Sequence, residues 1–83
     1  MKVAVRYFAS VREALGPGED VEIGAGADIA ALRDALIARG GRHAEALGRE
    51  RVLRAARNLV LSGETTALGE GDEVGFFPPL TGG

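Results

Sequence analysis

One segment constrains the fold more than any other. AGADIAALRDALIARGG, residues 25–41, is the clearest amphipathic helix in the chain. Asp28 is suited to cap its N-terminus, and Ile29, Leu32, Leu36 and Ile37 form one apolar stripe at helical spacing. Arg39 falls in the last turn, and Gly40 and Gly41 stop the helix. With a single main helix, the economical way to bury that stripe is against one face of a sheet.

The sheet is supplied by short segments of period two. Over residues 2–8, Val3, Val5 and Tyr7 face one way and Lys2, Ala4, Arg6 and Phe8 the other, which predicts a half-buried strand. Phe8 is the misfit, a large aromatic on the side of Lys2 and Arg6. Ser10 and Glu13 have capping-box spacing, which predicts a short helix over about residues 11–15 ended by Gly16 and Pro17. Residues 20–24 read as a second strand with Val21 and Ile23 inward. HAEALGRERVL suggests a short helical turn ending at Gly48, with His43 exposed at its start and the charged run of residues 48–54 on the surface. Residues 54–61 read as one extended segment, and residues 73–77 as the last strand, entered through the Gly71–Asp72 turn. If Val74 and Phe76 face the core, Phe77 faces away; if Val60 is inward, Leu59 and Leu61 are outward. Phe8, Leu61 and Phe77 are thus expected to form an exposed apolar patch, of the kind that marks partner sites.

Composition narrows the chemistry. The 83 residues include no cysteine and one histidine, so no disulfide, thiol nucleophile or metal site of the chain's own is expected. The net charge of −2 and the absence of a basic, aromatic-laced stripe argue against nucleic acid as a partner. MKVAVRYF lacks the apolar core of a signal peptide, and no apolar run is long enough to span a membrane, so a cytoplasmic protein is expected.

The chain closes on FFPPLTGG, residues 76–83. Pro78 and Pro79 lack amide donors, so the sheet ladder is expected to stop there. This divides the sequence into a domain over residues 1–77 and an extended tail over residues 78–83. Six extended residues reach on the order of 20 Å, and Gly82 and Gly83 have no side chains to widen a channel they thread. A terminal carboxylate is an anion at neutral pH and must be activated before it can accept a nucleophile. No phosphate-binding loop of the GxxxxGK[ST] kind is present, so an activating enzyme must be another protein. A mixed anhydride with AMP, attacked by a sulfur donor, would leave a thiocarboxylate on Gly83: a sulfide carrier that needs no cysteine.

KVAVRYFASVREALG, LRDAL and LGEGDEVGFFPPLTGG together resemble the small, sulfur-carrier subunit of molybdopterin synthase, a ubiquitin-like β-grasp family. The FFPP segment before the Gly-Gly end is the specific part of that likeness. The region of residues 40–52 matches least, and Leu80 stands where valine is common. The resemblance implies an α+β fold, a mixed sheet of four to five strands crossed by one main helix, with the first and last strands parallel neighbours. It implies a heterotetrameric synthase in which this chain has no catalytic site beyond its own terminus. An E1-like enzyme would adenylate Gly83 with ATP, and a sulfurtransferase or cysteine desulfurase system would supply the sulfur. The tail, with Leu80, Thr81 and Gly82, would then thread into the large subunit, and Phe8, Leu61, Phe77, Pro78 and Pro79 would dock against it. There the sulfur would pass to cyclic pyranopterin monophosphate, with no cofactor held by this chain. Two alternatives share the activation chemistry: a sulfur carrier for thiazole synthesis, and a modifier joined to protein lysines through Gly83.

Overall fold

The computed structural model of the protein describes residues 1–79. Its elements run β1 (Lys2–Tyr7), α1 (Ala9–Leu15), β2 (Gly18–Glu22), α2 (Ile29–Ile37), α3 (Gly41–Leu47), β3 (Arg54–Arg57), β4 (Val60–Ser62) and β5 (Glu73–Phe77). The five strands form one sheet in the order β2-β1-β5-β3-β4. β1 and β5 are parallel at its centre, and every other pairing is antiparallel. This is the ubiquitin-like β-grasp arrangement, with the first and last strands adjacent as expected. Among the described residues no helix is long and apolar enough to cross a membrane.

The alternation read from residues 2–8 sets the core. Val3, Val5 and Tyr7 of β1 and Val74 and Phe76 of β5 bury one face of the sheet against Ile29, Leu32 and Leu36 of α2, with Val11 and Leu47 from the flanking helices. Asp28 caps α2 as predicted, its Oδ1 accepting a hydrogen bond from the Ala31 amide at 2.8 Å. The other first-turn amides find carbonyls in the connection before β5: Ile29 donates to Thr66 at 3.1 Å and Ala30 to Glu64 at 2.9 Å. The polar stretch after β4 is therefore a cap for the main helix.

Several expectations are corrected. The Ser10–Glu13 box does not form: α1 starts at Ala9, capped by the Phe8 backbone with no side-chain bond. The Phe8 amide still donates to the Phe76 carbonyl at 3.1 Å, and its own carbonyl already accepts from Val11 and Arg12. Strand and helix thus share one junction residue, and Ser10 lies inside the helix. β2 begins at Gly18, not residue 20, because Gly18 lies across from Arg6, where a Cβ would stand 2.3 Å from the Val5 carbonyl oxygen. The segment of residues 54–61 is not one strand but a hairpin, β3–β4, turned by Asn58 and Leu59 with φ of 49° and 70°. Val60 shares the row of Arg57 and Val74 on the core side of the sheet, but β4 is the sheet edge, beyond the cover of α2, and Val60 is 65% exposed. α2 ends at Ile37, so Arg39 lies outside its last turn and pairs with Glu19 of β2.

Two polar assemblies tie the layers together. Arg33, buried on α2, donates from Nε to the Leu47 carbonyl at 2.7 Å. Its remaining donors reach the carbonyls of Gly48 at 2.8 Å and Arg51 at 3.0 Å, and the Glu64 carboxylate at 3.1 Å. It thus satisfies the end of α3 and the following loop, where the helix dipole favours a cation. Glu19 accepts from the Tyr7 hydroxyl at 2.8 Å, from Arg39, and lies 2.8 Å from His43 Nε2. His43 accordingly lies near the start of α3, as expected, but is half-buried and not exposed.

Replacing Arg33 with Met should strand two buried carbonyls and a part-buried one and cost about 3 kcal/mol. For a domain of this size that corresponds to a fall in melting temperature of roughly 15 °C. Thermal and urea unfolding of the variant would check it.

Acid stability follows from two carboxylates. Burial pushes Glu19 toward its neutral form, but hydrogen bonds from His43, Arg39 and Tyr7 outweigh it and lower its pKa from 4.5 to about 2. Arg57, the Gly69 amide and Asn58 lower Asp72 from 3.8 to about 2. Both groups bind protons more weakly folded than unfolded, so their contribution is complete above about pH 4.5 and is lost as pH falls toward about 2. Glu19→Gln and Asp72→Asn should each flatten this acid limb, measured as denaturant midpoints between pH 2 and 5.

Candidate functional site

Strand pairing places the predicted patch on the face opposite α2. Rows of paired residues share a face, so Arg6, Gly75, Ala56 and Leu61 line up across β1, β5, β3 and β4. Phe77 is on the same face, opposite Arg54. Phe8, just past β1 and still extended, is two residues after Arg6 and so continues this face. The parallel β1–β5 pair brings it alongside the end of β5. The Phe8 and Phe77 rings meet edge to face, with centroids 6.5 Å apart and planes at 78°.

Gly75 makes that contact possible. A Cβ at Gly75 would stand 2.8 Å from Phe8 Cε2, so the ring occupies the space that a side chain would fill. This residue was missed in the sequence reading, although a glycine inside a strand marks a close approach.

Leu61 belongs to the same face but not to the ring pair. Ala56 lies between Leu61 and Gly75, which puts their backbones about 10 Å apart at ordinary strand spacing. Leu61 is 64% exposed and Phe8 44%, whereas Phe77, Pro78 and Pro79 are half-buried. β5 ends at Phe77, immediately before Pro78. Pro78 lines an open groove of about 690 Å³ between α1 and α3, whose floor includes Val11, Ala14, Ala46 and Leu53. The predicted tail residues Leu80, Thr81, Gly82 and Gly83 lie outside the described residues.

The charged groups near this face are engaged with one another or with a turn. Arg6 pairs with Glu73 at 3.2 Å. Asp72 accepts from the Gly69 amide at 2.7 Å, closing the turn into β5, and from Arg57 at 2.7 Å. Turn chemistry thus accounts for Asp72, as its position after Gly71 suggested. Among the described residues no group of three or more acidic or histidine side chains is placed to hold a metal ion.

The described residues thus present an apolar, aromatic face beside the end of β5, on a small β-grasp domain. The chain belongs to the ThiS family, whose profile matches residues 5–83. It is 39% identical to the molybdopterin synthase sulfur carrier subunit of Mycobacterium tuberculosis, over 100% of this chain and 99% of that protein. It is 34% identical to small archaeal modifier protein 3 of Haloferax volcanii, over the whole of both chains. Its structure is similar to that of a molybdopterin converting factor subunit 1 from Pyrococcus furiosus, described as putative, with TM-score 0.81 and 30% identity over 96% of this chain and 99% of that one. It is also similar to a chain in a complex of subunits 1 and 2 of molybdopterin-converting factor from Helicobacter pylori, with TM-score 0.69 and 30% identity over 100% of both.

The opposite faces of adjacent residues predict opposite mutational profiles. Phe76→Ala empties a core position and should cost about 3–5 kcal/mol. Phe77→Ala removes a half-buried ring from the outer face and should cost less than half as much. Paired urea titrations would test this; equal losses would put Phe77 in the core.

Proposed function

We propose that this chain is the sulfur-carrier subunit of a molybdopterin synthase and works through a thiocarboxylate on Gly83. The observation that carries the reading is the match to the Mycobacterium sulfur carrier subunit across its length, together with the FFPPLTGG ending that the family profile spans. The similarity to a chain from a two-subunit complex supports a large-subunit partner. Phe8, Phe77 and Leu61 supply apolar contact area, and Pro78 and Pro79 end the ladder so that the chain can leave the sheet.

In the proposed cycle an E1-like partner adenylates the Gly83 carboxylate with ATP, releasing pyrophosphate. A persulfide of the donor, a sulfurtransferase or cysteine desulfurase system, displaces AMP, and a thiol then reduces the acyl disulfide, forming a disulfide itself and leaving the thiocarboxylate. Leu80, Thr81 and Gly82 thread into the large subunit, where sulfur passes to cyclic pyranopterin monophosphate. This chain then regains its carboxylate. It needs no bound cofactor, and ATP places the cycle in the cytoplasm. A second reading, favoured by the Haloferax modifier relative, is conjugation of activated Gly83 to protein lysines.

Deleting Gly83 should abolish charging and sulfur transfer with the melting temperature nearly unchanged. Reacting atoms must sit within about 3–3.5 Å, and one lost residue withdraws the acyl group by roughly 3.3 Å. An appended residue should block activity too, by converting the carboxylate into an internal amide. Gly82→Val should impair transfer while the domain stays folded. Intact mass after incubation with the activating enzyme, ATP and a sulfur source reads the result, since the thiocarboxylate adds about 16 Da. Normal charging of the shortened chain would sink the sulfur-carrier reading, and lysine adducts without molybdopterin formation would select the modifier.

A further inference from the structure

The β3–β4 turn is built against its own stability. It is a two-residue turn closed by the Arg57–Val60 pair, with Asn58 and Leu59 both left-handed at φ 49° and 70°. Such turns favour Asn-Gly, because only glycine adopts the second position without cost. Asn58 meets the preference and Leu59 does not. A γ-branched side chain is held in the left-handed region, which L-residues other than glycine disfavour. That side chain gains nothing from burial, since Leu59 is 85% exposed, the most of any large apolar residue described.

Its presentation is nonetheless fixed. The Asn58 amide donates to the Glu73 carbonyl at 2.8 Å, and Asn58 Oδ1 accepts from the Glu73 amide at 2.9 Å. Asn58 Nδ2 donates to Asp72 at 3.1 Å, and Asp72 is itself held by Arg57 and Gly69. The tip is bolted to the start of β5, and Leu59 projects from it. An exposed leucine on a strained and firmly held backbone has the properties of a binding anchor, because only side-chain freedom remains to be lost on association.

We propose that Leu59 is an anchor for the large subunit, entering an apolar pocket at the end of the docking face remote from the tail. This rests on the sulfur-carrier reading and extends its interface. Leu59 is continuous in the chain with Val60 and Leu61, both exposed, and Leu61 is on the face of the Phe8–Phe77 pair. Across from Phe77 stands Arg54 at the far end of β3, whereas the turn joins the start of β5. Anchors at Phe77 and Leu59 are therefore about four strand residues, on the order of 14 Å, apart. Two contacts at that separation fix the orientation of the domain as well as its affinity.

The test compares Leu59→Gly, Leu59→Asn and Leu59→Met with the unchanged full chain, using calorimetric titration against the purified large subunit and thermal melts. Gly and Asn suit the left-handed position, so their melting temperatures should be unchanged or raised by a few degrees, while Kd rises about tenfold. Met keeps an apolar side chain and should bind within about threefold of the unchanged protein. Phe77→Ala serves as the control for the shared interface. If it weakens binding while Leu59→Gly leaves Kd within about twofold, the anchor is wrong and the sulfur-carrier reading stands. If the unchanged chain does not bind the large subunit, both fall. A melting temperature lowered by more than about 5 °C in Leu59→Gly would make Leu59 structural and overturn the proposal. So would a change confined to self-association in sedimentation.

Discussion

The parallel pairing of β1 with β5 is the constraint on which the rest depends. It joins the two ends of the sequence at the centre of the sheet, aligning Val5 with Val74 and Tyr7 with Phe76. These are among the most deeply buried side chains, so the core cannot close until the last strand is in place. The same register sets the opposite face. Phe8 follows β1 at the level where β5 ends, and the empty space above Gly75 receives its ring. One pairing thus specifies both the hydrophobic core and the aromatic pair beside Pro78.

Arg33 solves a different problem. α3 is short, and its carbonyl end and the loop after it would otherwise lie buried without donors. A guanidinium can reach three carbonyls and a carboxylate at once because its donors are fixed in a plane. Arg49 extends the assembly by pairing with Asp34 and Glu64. Glu64 is therefore shared between a buried and an exposed arginine, and its own backbone carbonyl also accepts from the Ala30 amide in the first turn of α2. The segment least easily read from the sequence is held by polar bonds more than by apolar contact.

Legibility followed the kind of signal. β1, β5 and α2 were readable because each combines strong apolar periodicity with a clear boundary: Asp28 for the helix, Gly71–Asp72 and Pro78 for the last strand. The β3–β4 hairpin was not, because Leu59 occupies the position where glycine would have announced a turn. Ser10 and Glu13 misled for the opposite reason: their spacing fits a cap, but the ladder bond from Phe8 to Phe76 claims the preceding residue and starts the helix earlier. Arg33 was concealed by its charge, although it sits four residues after Ile29 and four before Ile37 on the stripe that turns inward. Phe8 and Phe77 were found by alternation. Their mutual contact could not be, since it depends on a glycine from one strand meeting a ring from another.

The distribution of apolar surface suits the two successive partners of the proposed cycle. On the proposed cycle the domain binds an activating enzyme, leaves it charged, and then binds the large subunit. Very tight docking to either would make release limiting, because affinity within related complexes is set mainly by the rate of dissociation. The outer face is graded accordingly. Phe77 is half-buried by Phe8 in the free domain, so it exposes less new surface to a partner than an isolated ring would. Leu59 and Leu61 are open, but stand on the edge hairpin and are separated from the aromatic pair by Ala56. On that cycle, removing only part of this face from water at each encounter would keep affinity moderate. A carrier that hands on its cargo needs that more than it needs a permanent interface.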